Sequence, residues 1–146
     1  MTFATALVVV STESLPRLRK QAGQSLHLNA LKNLMGGPPL HIHGTEEEYF
    51  FVTEGEITFF IDGKITKVKA GESAFALRGK VHCYKNCTDQ DARMLAIFTP
   101  GKIEGYFDFG LSMEDGSIPS EACIIERFNA MGPKFNVIQV EGPSPF

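Results

Sequence analysis

Between His41 and Gly55 the chain reads HIHGTEEEYFFVTEG, and this stretch constrains the fold more than any other. Two histidines stand at i and i+2, a carboxylate (Glu48) follows, and a glycine closes the segment. On a β-strand alternate residues share a face, so His41 and His43 can aim both imidazoles at one point. Glu48 has the wrong parity to share that face on an unbroken strand. Gly44 and Thr45 are therefore expected to turn or bulge the chain, so that a following strand, Glu48 to Thr53, brings the carboxylate back. Two imidazoles and a carboxylate converging in this way suit a borderline divalent metal.

A second stretch, Gly71 to Asn86, reads GESAFALRGKVHCYKN, a strand between glycine turns followed by a strand that begins near His82. Together the two stretches resemble the paired motifs of the cupin superfamily. His41, His43, Glu48 and Gly55 match the first motif, G(X)5HXH(X)3,4E(X)6G, in register. Gly71, Gly79, His82 and Asn86 match the second, G(X)5PXG(X)2H(X)3N. The second motif's proline is Leu77 here and the first motif's opening glycine is Met35, departures that leave the ligand positions intact. The resemblance implies that His41, His43, Glu48 and His82 hold one divalent transition metal per chain. Fe, Mn, Ni and Cu all suit such a mixed set, Zn can occupy it too, and the donor list does not choose among them. Glu46 and Glu47 fall on the loop outside the motif register and are expected to be dispensable for metal and activity.

The rest of the chain supports an all-β reading. Ile57 to Ile61 and Lys64 to Lys69 flank Asp62-Gly63, a pair suited to a type I′ hairpin. Gln24 to Leu31 alternates, with Leu26, Leu28 and Ala30 on one face and His27 and Asn29 on the other; His27 is expected to be a polar-face residue outside the site. Strands are further expected over residues 73–77, 81–85 and 93–98, and Ala4 to Val10 reads as an N-terminal strand. Short strands with turn signals every eight to twelve residues point to an antiparallel barrel or sandwich. The expected fold is thus an antiparallel β-barrel or double-stranded jelly roll of the cupin kind, with a short C-terminal helical appendage. We expect one domain, with a barrel core over about 24–99, an N-terminal strand over 1–12 and an extension over 100–146. In that extension Lys102 to Phe109 is compatible with a short helix. Ser120 can cap a helix running to Met131, with Cys123, Ile124, Phe128 and Met131 spaced as an apolar stripe; Gly132-Pro133 stops it, and Phe135 to Val140 alternates like a final edge strand. This appendage is expected to cover the barrel mouth or to make a dimer contact. It also loosely resembles the extensions of small quercetin dioxygenase-like cupins.

Composition excludes some function classes. The net charge is −3 with charges scattered along the chain, so a basic face for nucleic acid is not expected. No apolar run approaches the roughly 20 residues that span a bilayer. Three cysteines without a secretory leader read as free thiols, and a cytoplasmic protein is expected. Edge strands of a small barrel need covering, and the apolar first strand makes a homodimer the expected assembly.

Parity also suggests a substrate pocket. With Glu48 inward, Phe50 and Val52 share its face; with His82 inward, Tyr84 and Asn86 do so while Cys83 faces away and serves packing. Met94, Ala96 and Phe98 are further candidates. Four protein ligands on a six-coordinate ion leave two neighbouring positions, room for a bidentate substrate or for one substrate oxygen together with dioxygen. The motifs resemble dioxygenases acting on small, largely apolar molecules that chelate through oxygen, with Glu48 as both ligand and catalytic base. A non-catalytic metal-assisted binder and a cupin isomerase or decarboxylase are the alternatives, the latter usually needing extra charged residues in the pocket.

Overall fold

The computed structural model describes residues 25–31, 37–101, 103, 106 and 120–146. Its strands are β1 (Ser25–Leu31), β2 (His41–His43), β3 (Glu47–Glu54), β4 (Glu56–Ile61), β5 (Lys64–Lys69), β6 (Ser73–Ala76), β7 (His82–Lys85) and β8 (Ala92–Thr99). Helix α1 (Glu121–Met131), a 3-10 turn (Gly132–Phe135) and β9 (Val137–Gln139) follow. The strand expected over residues 4–10 lies outside the described residues, as does most of the short helix expected over 102–109.

The strands pair antiparallel in two sheets, ordered β1-β8-β3-β6 and β5-β4-β7-β2-β9. They face each other as a jelly roll without closing into one continuous barrel. Alternation builds the space between them. Glu48, Phe50 and Val52 of β3 and Ala92, Met94, Ala96 and Phe98 of β8 are buried, and their neighbours in sequence are less so. Ile57 and Phe59 of β4 and Val68 of β5 meet them from the other sheet, with the Phe50 and Phe59 ring centroids 5.0 Å apart. Each such side chain contributes about 1.5–3 kcal/mol on burial. The Asp62-Gly63 hairpin forms as expected, with φ of 49° and 85° at its two central residues. On β1 the backbone register sets His27 opposite Ala96 and Asn29 opposite Met94.

The C-terminal segment is tied into the second sheet. The Ser120 hydroxyl caps α1 by accepting from the Cys123 N–H at 3.3 Å. Gly132-Pro133 does end the α-helix, but the chain continues through one 3-10 turn. Pro133 is tolerated there because a missing N–H costs little in a first turn. Asn136, at φ 58°, then releases the chain into β9. That strand pairs with β2, setting His41 opposite Gln139 and His43 opposite Val137. Asn136 also clamps the exit from β2. Its carbonyl accepts from the Gly44 N–H at 2.9 Å, and its side-chain amide donates to the Thr45 hydroxyl at 3.1 Å. A Cβ on residue 44 would meet the Asn136 side-chain amide, so any larger residue there would push that amide out of its place.

Candidate metal centre

Three histidines come from adjacent strands of one sheet and the carboxylate comes from the other. His41 and His43 point inward from β2, and His41 lies directly opposite His82 of β7. Glu48 faces them from β3 across the space between the sheets. Parity called for a turn or bulge at Gly44 and Thr45, and the chain does turn there. It crosses from one sheet to the other through Gly44, Thr45 and Glu46, and the carboxylate returns on a second strand from the opposite side. All four side chains are buried, and one donor atom from each lies within 4.8 Å of the others. Glu48 Oε1 stands 2.5 Å from His43 Nε2 and its Oε2 stands 3.6 Å from His82 Nε2.

The donor set fits one divalent ion. Among the described residues, the buried His82 Nε2 has no hydrogen-bond partner, which is costly unless something else accepts its lone pair. Its Nδ1 donates to the Lys80 carbonyl at 2.8 Å, and His41 Nδ1 donates to the Pro39 carbonyl at the same distance. Both bonds fix the tautomer that leaves Nε2 free as a ligand.

Charge in the cluster is unevenly held. Burial, reinforced by neighbouring His82, lowers His41 to about 3, so it is neutral in ordinary buffers. At His43 burial opposes the charged ring, but the Glu48 carboxylate and then Glu46 outweigh it and raise the group to about 9. Burial likewise opposes ionisation of Glu48, yet His43 holds it well below the usual carboxylate range. A divalent ion must therefore displace a proton from His43 at any pH below about 9. Since that proton favours the metal-free protein, apparent metal affinity is expected to fall roughly tenfold per pH unit as pH drops below about 9, and to level off above it. Chelator competition from about pH 6 to about pH 10 checks this; a flat profile would show that the ion displaces no proton from His43.

Aromatic rings surround the cluster. Phe98 lies against His43 (centroids 5.7 Å), Phe50 lies 6.4 Å from His82, and the Tyr84 ring packs on Phe50 at 5.6 Å. Burial pushes the Tyr84 hydroxyl far above its ordinary range, so it stays a neutral phenol. Along β3 and β8, Glu48 pairs with Phe98, Phe50 with Ala96 and Val52 with Met94. At about 3.4 Å per residue that last pair sits roughly 14 Å from Glu48, deep in the core. Asn86 is buried but holds the turn after β7, donating to the Gln90 carbonyl and accepting from Thr88. Cys83 is buried away from the histidines, and burial raises its thiol to about 12, too high for a nucleophile.

Two further groups escaped the motif register. Phe128 of α1 stacks edge-on against His41 at 5.1 Å, and Tyr106 packs on Phe128 at 5.8 Å. Phe128 belongs to the apolar stripe expected of this helix, and through it the extension packs on the site, although the sequence assigned neither ring to the metal centre. The other is Glu46, expected to be a dispensable loop residue. It is almost fully buried, with Oε2 3.6 Å from His43 Nδ1. The crossing between sheets turns its side chain inward, and motif spacing carries no signal for that.

The fold and the site define a class, and comparison with known proteins agrees. Residues 35–98 match the sequence model of the cupin domain, a stretch that holds all four candidate ligands. The sheets have the double-stranded β-helix arrangement, and over these residues the chain is similar to a cupin domain. An uncharacterized protein of Aquifex aeolicus is 37% identical over 60 residues, covering 41% of this chain and 49% of that protein. An oxalate-binding protein of Thermotoga maritima is 34% identical over 58 residues, covering 40% of this chain and 48% of the relative. The chain spans about half the length of these curated relatives. The crystal structure of TT1209 from Thermus thermophilus superposes with a TM-score of 0.53 at 21% identity. The match covers 57% of this chain and 79% of that one, a likeness of fold alone. Among the described residues, no helix is long and apolar enough to cross a membrane.

Proposed function

We propose that this chain is a metal-dependent cupin of the dioxygenase type, acting on a small, largely apolar molecule that chelates one metal ion through oxygen. The observation that carries the reading is the buried His41, His43, Glu48 and His82 set with Phe50, Phe98 and Phe128 packed on its imidazoles. A redox-capable divalent ion held there would supply Lewis acidity and electron transfer, with coordination positions left for a bidentate ligand. The protein's own part is threefold. The imidazoles of His41, His43 and His82 would hold the ion, and the aromatic rings exclude water and favour a flat apolar ligand. On this reading Glu48, which faces the cluster from β3, takes the proton from an incoming enol or phenol hydroxyl.

A second reading is favoured by one observation, the resemblance to a relative named an oxalate-binding protein. On that reading the ion holds a small dicarboxylate without turnover. Elemental analysis together with an oxygen electrode separates the two. Metal-loaded protein is expected to consume oxygen with at least one catechol, flavonol or β-diketone. Saturable oxalate binding by calorimetry, with no oxygen uptake from any of these chelators, would overturn the dioxygenase reading in favour of the binder.

A further inference from the structure

We propose that Glu46 is a positioning residue for the metal centre, its carboxylate accepting the Nδ1–H of His43 so that Nε2 of that ring is presented to the ion. The inference rests on the reading of His41, His43, Glu48 and His82 as metal ligands. It starts from an asymmetry among the three histidines. His41 and His82 each donate Nδ1–H to a backbone carbonyl two residues earlier, from Pro39 and Lys80, at 2.8 Å. Both carbonyls precede the strands that carry the rings, so they are free of the ladder. His43 has no such carbonyl. The residue two before it is His41, inside β2, where peptide groups point along the sheet toward β7 and β9.

A carboxylate takes the vacant role. Glu46 Oε2 stands 3.6 Å from His43 Nδ1, and both side chains are buried. Among the described residues neither Glu46 oxygen has a hydrogen-bond partner, and His43 Nδ1 has none either. A buried carboxylate with no donor is expensive, and a buried imidazole N–H with no acceptor is too. The two deficits lie face to face and cancel if the contact closes by a few tenths of an ångström. A carboxylate behind a ligating imidazole makes the ring a stronger donor than a peptide carbonyl does, and it locks the ring's orientation. The crossing loop Gly44-Thr45-Glu46, clamped by Asn136, is what brings this carboxylate back beneath the ring it follows in sequence.

The test uses cobalt(II) as the probe on the full chain and on two variants, Glu46→Gln and Glu46→Leu. Glutamine keeps the shape and a weaker acceptor, whereas leucine removes the acceptor. Cobalt affinity, read by chelator competition, is expected to fall about 10- to 100-fold in Glu46→Leu and by a smaller factor in Glu46→Gln. The thermal midpoint of the metal-free protein is the folding control. Cobalt-loaded protein should also show one exchangeable imidazole N–H resonance from each ligand histidine. Glu46→Gln should shift the His43 resonance and leave the His41 and His82 resonances in place. Should Glu46→Leu fail to fold, the glutamine variant decides through that resonance. Parent-like affinity in the folded variants with all three resonances unmoved would overturn the positioning role while leaving the metal centre standing. A parent chain that takes up no cobalt would overturn both.

Discussion

Replacing Glu48 with glutamine is expected to leave part of the metal bound and to reduce oxygen uptake by about 100- to 10,000-fold, the range a general base contributes. Glutamine keeps the shape and one oxygen that can still approach the ion, which is why metal is partly retained. It cannot accept a proton, and it withdraws the negative charge that His43 and His82 face at 2.5 and 3.6 Å. The measurement pairs elemental analysis with an oxygen electrode, so that activity is expressed per bound ion. Full turnover by a metal-loaded Glu48→Gln protein would sink the base role. Glu47, the first residue of β3, serves as the control; Glu47→Gln is expected to match the parent in both readings. Glu46 cannot serve as a control, because it lies buried against His43.

Replacing His43 with alanine is expected to lower bound metal from about one ion per chain to nearly none after dialysis. His43 sits at the centre of the cluster, its ring 5.0 Å from His41 and 5.5 Å from His82, with Glu48 hydrogen-bonded to it. Its loss would remove one donor and leave the Glu48 and Glu46 carboxylates buried without their main partner, so a lower thermal midpoint should accompany the loss of metal. Equal metal content in the variant and the parent would show that the ion, if bound, sits elsewhere.

Much of the fold was legible because the signals were local. The hairpin at Asp62-Gly63 follows from two residues that tolerate positive φ, and the Ser120 cap from a hydroxyl placed one residue before a helical stripe. The inward face of β3 and β8 follows from strict alternation, since a period of two leaves no freedom about which side chains share a face. The candidate ligands were legible for a different reason: their spacing resembles paired motifs in which only the ligand positions are tightly specified. What surrounds those ligands was less so. Val52 and Met94 have the right parity for the pocket, but parity does not say how far along the strand a residue sits from the ion.

By itself, then, the sequence determined the strand alternation, the turns and the helix cap, because each depends on contacts a few residues apart or on a fixed period, while the four ligand positions followed from their resemblance to the paired motifs. Only the tertiary structure decided that His43 and Glu48 lie on opposing sheets and that β9 seals the strand carrying His41 and His43. It alone decided that Phe128 covers His41 and that Glu46 turns inward beneath His43. Those outcomes depend on how separate elements meet. Direction at a crossing loop and packing between distant segments are set by the whole core, and no short window of residues encodes them.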